Sequence, residues 1–382
     1  MSGTERVAVA VIGAGPYGLA VAAHLKAWGV RHALFGAPLA RWAAQLPPAF
    51  ILRSPAEASA IAGPRGGPSC SIVDFRSSVG ARDLRAPVSG EEFLRYGAWY
   101  VAHHGLSPRE QVAQVDAGTT LKVTTVVGDA VHANVVVVAT GLTHAAWVPE
   151  CAGVLPPHAS RHSSDMGEAG RFTGVRVAVV GAGQSGAEAV VALEAAGAHV
   201  TWVARHAPRF CNLPLQDHRI AVAVYARSPV FLSAMPPSLR HPLLQRLTET
   251  ATVAREWRRR VSGALARAQW RSVTGALRDG AGVRLTLADG SRVAADCVVW
   301  ATGYRPSVSR DPVARALLGA STQGAPSVDR TGAAERSGVY FTGAWTAPRF
   351  GPAVRFLAGT WWQAEVVARA AARASSPTTG PR

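Results

Sequence analysis

A doubly wound α/β architecture is predicted by three features of the 382-residue sequence. A unit of strand, glycine-rich turn and helix occurs twice, each copy opens on an uninterrupted β-branched run, and two later segments end in the same Ala-Thr-Gly triplet. Val7 to Gly36 reads VAVAVIGAGPYGLAVAAHLKAWGVRHALFG, and Val175 to Arg205 reads VRVAVVGAGQSGAEAVVALEAAGAHVTWVAR. Gly13, Gly15, Gly18 and Gly29 match Gly181, Gly183, Gly186 and Gly197 at one constant offset. A run apolar at every position suits a strand covered on both faces, and the Ala/Leu-rich stretch after each turn suits the covering helix.

The second pair of similar segments extends the plan. Val123 to Gly141 holds a hairpin turn at Gly128 and Asp129 and ends in VVVVATG; Val283 to Tyr304 holds Asp289-Gly290 and ends in CVVWATGY. If each triplet closes a buried strand, Gly141 and Gly303 stand where the chain can pass between domains. The expected division is a discontinuous domain of residues 1–150 and 296–372, with a second domain, 170–295, inserted in it. Within the insert, 213–260 is rich in Leu, Ala, Arg and Pro and reads as a helical excursion. Residues 374–382 read as a loose tail.

Composition narrows the function classes. Hydrophobic residues make up 48% and charged residues 17%, which excludes a largely disordered chain. The formal charge of +16 is carried almost wholly by arginine, only Lys26 and Lys122 being lysine. Such a balance attracts anions without selecting among them, and the one compact basic run, Arg258 to Arg260, makes nucleic-acid binding a minority reading. Cys70, Cys151, Cys211 and Cys297 form no C-x-x-C pair, so neighbouring thiols build neither a zinc ribbon nor a redox dithiol. The strand-like run from Val7 leaves no room for a leader, no apolar run reaches the roughly 20 residues of a membrane helix, and the expectation is a cytoplasmic protein.

In Gly13-Ala14-Gly15-Pro16-Tyr17-Gly18 the first glycine permits the tight turn, the second lets a pyrophosphate approach the backbone, and the third allows close helix packing. The helix N-terminus then faces the negative charge. Gly181, Gly183, Gln184, Ser185 and Gly186 repeat the pattern, so two dinucleotides are implied. At the end of the second strand, where an acidic residue would take an adenosine ribose, the first copy has Gly36. The second has Ala204, Arg205 and His206, and the Arg205 cation suits the 2′-phosphate of NADPH. His158 and His162 have a helical metal-ligand spacing, but the prolines before them argue for a loop, and no metal is expected. Trp99 with Tyr100 and Trp361 with Trp362 read as packing residues. Gln216, Asp217 and His218 are a candidate polar site near a nicotinamide. Neither a Gly-x-Ser-x-Gly elbow nor a Walker-type loop is present.

With these motifs in view, the sequence resembles the flavin-containing monooxygenases and the related NADPH-dependent N-hydroxylases. GAGPYGLA at Gly13 to Ala20 resembles their FAD motif, GAGQSGAE at Gly181 to Glu188 their NADPH motif, and DCVVWATGY at Asp296 to Tyr304 their segment ending Ala-Thr-Gly-Tyr. The resemblance implies FAD and NADPH as cofactors. It adds Arg41, Trp42, Thr140, Gly141, Thr302, Gly303, Gly343, Ala344 and Gly351 to the cofactor-binding residues, and a helix beginning in Gly351 to Gly359 and aimed at the flavin. It implies an enzyme in which NADPH reduces the flavin, which then passes one atom of O2 to a nitrogen or sulfur of a small molecule, the protein mainly shielding the site from water. No catalytic acid or base is nominated.

The sequence also departs from the pattern. The Baeyer-Villiger fingerprint before the second motif survives only as a remnant at Arg161 to Met166, with Pro156 and His158 where Phe and Gly stand in relatives. The flavin-proximal Asn has no counterpart near Arg53 and Ser54. The alternatives are therefore an NADPH-dependent flavin oxidoreductase without oxygen insertion, a Baeyer-Villiger-type monooxygenase, and, outside enzymes, a dinucleotide-sensing or nucleic-acid-binding protein.

Overall fold

The computed structural model describes residues 5–45, 51–52, 54–67, 70–118, 120–211, 219–249 and 252–376. Its chain forms two compact units: Met1–Ala145, Pro214–Leu247 and Pro306–Arg382 in the first, Ala146–Leu213 and Thr248–Arg305 in the second.

The first unit opens with β1 (Glu5–Ile12), α1 (Pro16–Ala27) and β2 (His32–Phe35). Successive strand residues point to opposite faces. Val9 and Val11 of β1 accordingly join the cluster that holds Leu19 and Leu25 of α1, while Ala10 and Ile12 join Phe35 on the other side. Pro16 starts α1 where a missing N–H costs nothing, and the chain turns out of the helix at Gly29. Next come α2 (Ala40–Gln45), α3 (Ile72–Ser78) and α4 (Gly90–His103), then β3 (Pro108–Arg109), β4 (Val112–Ala117), β5 (Leu121–Thr125) and β6 (Ala130–Val138). Ser71 and Asp74 form a capping box on α3, and Ser89 caps α4. The hairpin expected at Gly128 and Asp129 joins β5 to β6.

The second unit continues with β7 (Ser160–His162), β8 (Arg176–Val180), α5 (Gln184–Ala195), β9 (His199–Val203) and β10 (Arg209–Cys211). The excursion follows as α6 (Arg219–Ala234) and α7 (Pro237–Glu249), which fall in the first unit. The chain re-enters the second unit at β11 (Thr252–Ala254), α8 (Trp257–Arg260), α9 (Ser262–Arg267), β12 (Val273–Asp279), β13 (Gly282–Leu287), β14 (Arg292–Ala295) and β15 (Cys297–Trp300). It closes the first unit with α10 (Pro312–Leu318), β16 (Val339–Phe341), α11 (Ala347–Phe350) and α12 (Thr360–Ser375).

The first sheet runs β3-β2-β1-β6-β5-β4, with β16 pairing in parallel on β6. The second is β7-β15-β8-β9, parallel throughout. This is a doubly wound α/β fold with two dinucleotide-binding units, the second interrupting the first. The repeat is not perfect. In the first unit β4, β5 and β6 share the sheet with β1, whereas β12, β13 and β14 form a separate antiparallel sheet and only β15 reaches the parallel one. Asp296 stands at that break, accepting from the Arg176 backbone N–H at 2.8 Å and pairing with its guanidinium at 2.6 Å.

Two local expectations are corrected. Gly351 to Gly359 starts no α-helix; it forms two 3-10 turns, Pro352–Arg355 and Leu357–Gly359, and α12 begins only at Thr360. Phe356, extended between them, breaks the helical path. Residues 374 and 375, expected in the tail, instead close α12, which runs through Ser375; residues 377–382 lie outside the described residues.

Candidate functional site

The first glycine turn shows why Gly13 and Gly18 are required. Gly13 has φ +109°, and a Cβ there would lie 2.5 Å from the Ala139 carbonyl oxygen at the end of β6. A Cβ on Gly18 would overlap the Gly13 carbonyl oxygen. Gly15 is different: a Cβ on it would meet nothing within 4 Å, so this glycine faces open space at the start of α1. The α1 N-terminus has no side-chain cap and no acidic residue in its first turn. A helix N-terminus without a side-chain cap, its dipole and an open cradle at Gly15 fit a pyrophosphate.

The floor of this cradle is assembled from distant parts of the unit. Trp345 donates its indole N–H to Thr140 Oγ1 at 3.0 Å, and Thr140 donates to Asp311 Oδ2 at 2.9 Å. Asp311, 1% exposed, also accepts from the Ala314 N–H at 2.9 Å as N-cap of α10. The Ala139-Thr140-Gly141 turn is thereby fixed by a fully paired buried carboxylate. The turn at Gly343 and Ala344 is held likewise. The carbonyl oxygen of the Gln363 side chain accepts from the Gly343 N–H at 2.8 Å and from Thr342 Oγ1 at 3.2 Å, while its amide donates to Thr346 Oγ1 at 2.5 Å. Tyr17 packs its ring 3.1 Å from where a Gly343 Cβ would stand and donates its hydroxyl to the Phe356 carbonyl at 3.0 Å. Tyr17 therefore joins the first motif to the segment after Gly351. A Cβ on Gly351 would point toward Leu232 of α6 and Leu244 of α7.

After β2 the chain passes Gly36 and reaches Leu39, the non-glycine residue with positive φ (+52°) among the described residues. Leu39 donates its backbone N–H to the Ala14 carbonyl at 3.0 Å, and its side chain is buried against Gly97 of α4. Arg41 donates to the Thr143 carbonyl at 3.1 Å, tying α2 to the chain just beyond Gly141. Trp42 packs on Phe93, ring centroids 4.7 Å apart.

In the second unit, a Cβ on Gly181 would overlap the Ala301 carbonyl oxygen, repeating the crossing of Gly13 over Ala139, and one on Gly186 would overlap the Gly181 carbonyl. Helix α5 starts at Gly183 without a side-chain cap or an acidic first turn. Trp202 adds an anchor, donating its indole N–H to the Gly181 carbonyl at 2.8 Å. Gln184 is engaged in the fold, accepting from the Ala254 N–H at 3.0 Å and donating to Glu188 at 3.1 Å; Ser185 lies beside it in the first turn. Arg205 is exposed just past β9. At the far triplet, Thr302 donates to the Trp147 carbonyl, and the Gly303 carbonyl accepts from the Trp147 N–H at 3.0 Å. His162 Nδ1 accepts from the Ser164 N–H at 3.1 Å, so its Nε2–H donates to the Gly303 carbonyl at 3.0 Å.

His158 lies in an exposed turn, and the described residues contain no group of three or more His, Cys, Asp or Glu able to hold a metal. Gln216, Asp217, His218 and Arg53 lie outside the described residues. Trp99 and Tyr100 pack with Tyr96, Trp361 donates to the Ala60 carbonyl, and Trp362 packs on Phe350. All four cysteines are free; burial pushes the Cys70 and Cys297 thiols up to about 11. No described helix is long and apolar enough to cross a membrane. Leu39, Gln363, Trp202 and Asp311 hold the glycine turns and their neighbours in place, and motif reading does not select them. The positive φ of Leu39 has no sequence signal, while the buried Thr, Gln and Asp are visible only as polar residues in apolar surroundings.

A family model described as pyridine nucleotide-disulphide oxidoreductase matches residues 7–370. No curated protein matches the sequence. Among solved structures, the fold resembles the Kutzneria sp. 744 ornithine N-hydroxylase with reduced FAD, NADP+ and L-ornithine (TM-score 0.77, 20% identity, 97% of this chain and 100% of that one). It resembles the L-lysine 6-monooxygenase of Pseudomonas syringae (0.74, 19% identity, 96% and 99%). A mutant form of a flavin monooxygenase from Stenotrophomonas maltophilia is 25% identical over 97% of this chain and 99% of that one, with TM-score 0.69.

Proposed function

The chain belongs to the pyridine nucleotide-disulphide oxidoreductase family, and on that premise we propose that it is an FAD- and NADPH-dependent monooxygenase that inserts one oxygen atom of O2 into a nitrogen of a small molecule, sulfur being the second acceptor. The observation that carries this reading is the duplicated glycine turn, each copy leading into a helix N-terminus without a cap or an acid. The similar folds of an ornithine N-hydroxylase and a lysine 6-monooxygenase support the choice of nitrogen.

When bound, FAD and NADPH supply the electrons and the activation of O2. The chain supplies grip, orientation and exclusion of water. Gly13 to Gly18 and the α1 N-terminus are assigned to the FAD pyrophosphate, with Thr140, Gly141, Gly343 and Ala344 as the floor. Gly181 to Gly186 and the α5 N-terminus are assigned to the NADPH pyrophosphate, and Arg205 to the 2′-phosphate. Gln184, tied to Ala254 and Glu188, is assigned a structural share in that turn, and Trp42, packed at a tilt against Phe93, a packing share in the first. No proton-transfer residue is required of either unit, since few acid-base steps fall on the protein in such chemistry.

A reading as a disulfide reductase is disfavoured by the cysteines. None is bridged, and the two buried thiols are held protonated by burial, which makes them poor nucleophiles. The test is turnover of the purified flavoprotein with NADPH, O2 and small amines, including ornithine and lysine. A hydroxylated amine formed in proportion to NADPH consumed is the expected result; NADPH consumption yielding only hydrogen peroxide with every amine and sulfide tried overturns the reading.

A further inference from the structure

Two arginines of the first unit stand out because, among the described residues, no carboxylate answers their charge. Arg240, on α7, is 6% exposed, and its Nε, buried, has no hydrogen-bond partner. Its Nη1 donates to the Met235 carbonyl over a long 3.4 Å. Arg349, on α11, is half-buried, and its Nε is likewise buried and unpartnered. Among the described residues no carboxylate forms an ion pair with either.

The two belong to one neighbourhood. Helix α6 packs on α11, and a Cβ at Gly351, two residues beyond Arg349, would lie 2.5 Å from Leu232 of α6 and 3.2 Å from Leu244, one turn along α7 from Arg240. Burial, and the nearby Arg240 charge, hold the Arg349 pKa below its ordinary value. Asp329 opposes this from a distance, but its Oδ1 is taken up by the N–H groups of Thr331 and Ala333 and the Thr331 hydroxyl. Nearby Arg330 adds a further positive charge.

Burying like charges without a counterion is unfavourable, so such a pair persists where an anion completes it. A guanidinium presents a planar fork matched to a carboxylate. Phosphate already has its assigned places, at the α1 and α5 N-termini and at Arg205. We infer that Arg240 and Arg349 form a subsite for a carboxylate carried by the substrate, built where the helical excursion meets α11. The inference rests on the monooxygenase reading only for the word substrate; the anion site stands on the unpaired arginines.

Binding without turnover tests it. Thermal-shift and calorimetric titrations of the FAD-loaded protein compare ω-amino carboxylates, among them lysine and 6-aminohexanoate, with amines of equal length lacking the carboxylate, and with inorganic phosphate. At least tenfold tighter binding of the carboxylates is expected, lost in Arg349→Gln and Arg240→Gln and partly kept in Arg349→Lys. Each glutamine variant without ligand is expected to melt no lower than the parent, because an unanswered charge has been removed. Equal binding of amines and carboxylates, preference for phosphate, a carboxylate preference surviving both glutamine changes, or ligand-free variants that melt far below the parent would each overturn the subsite. Failure of oxygen insertion, with carboxylate binding intact, would sink the monooxygenase reading and leave the anion site standing.

Discussion

Trp345 Nε1 donates to Thr140 Oγ1 at 3.0 Å, joining residues 205 positions apart in the sequence at the end of the buried strand β6. The bond passes on to Oδ2 of Asp311, a buried carboxylate whose Oδ1 accepts from the Ala314 N–H. Trp345→Phe removes one donor and should lower stability by about 1 kcal/mol, whereas Thr140→Val strands both the indole and Asp311 Oδ2 and should lower it by about 2 to 3 kcal/mol. Denaturant unfolding of the two variants checks the order. Equal effects would mean that the three residues do not act as one chain.

The glycines of the first turn separate folding from ligand binding. Gly13→Ala and Gly18→Ala place a methyl group against backbone carbonyls and should yield little folded protein. Gly15→Ala puts its methyl into open space, so the variant should fold with the circular dichroism of the parent but purify with FAD content reduced severalfold. A Gly15→Ala protein that retains full flavin would show that the cradle lies elsewhere.

Those glycines were legible because their spacing is local and recurs at a fixed offset, and the doubly wound fold followed from them. The turns at Gly128 and Gly290 were legible for the same reason. What the sequence concealed is non-local. Nothing near Gln363 signals that its side chain holds Gly343 twenty residues away, and nothing near Arg240 or Arg349 signals that neither pairs with a carboxylate among the described residues. The helix that the resemblance implied in Gly351 to Gly359 is not formed there, and Gly359 carries a local constraint: a Cβ there would lie 2.5 Å from the Ala353 carbonyl and closer to the Tyr17 hydroxyl.

Arg205 discriminates between nicotinamide cofactors in this account. Arg205→Ala should raise the KM for NADPH about tenfold, the equivalent of about 1.4 kcal/mol, and leave that for NADH nearly unchanged. Steady-state kinetics with both cofactors gives the answer; parallel changes in the two constants would remove Arg205 from the 2′-phosphate site.

Acid should loosen the first unit through His104. Burial depresses its pKa to about 4, with the neighbouring His103 and His24 acting in the same direction, and its Nε2 is buried without a partner. The unfolded chain takes up this proton near pH 6.5 and the folded chain only near 4, so stability is lost as pH falls between those values and is flat above them. Allowing for water that reaches part of the ring, the loss is up to about 2 kcal/mol. Melting curves of the parent and His104→Phe between about pH 7 and about pH 4.5 should diverge, the variant falling less; parallel curves would acquit His104.

The most direct measurement of the central claim is turnover under 18O2 with NADPH and an amine substrate, followed by mass spectrometry of the product. One labelled oxygen atom per molecule of hydroxylated product, with one NADPH consumed for each, is the predicted outcome. NADPH oxidation with no label in any organic product, all the oxygen being recovered as peroxide, would contradict it.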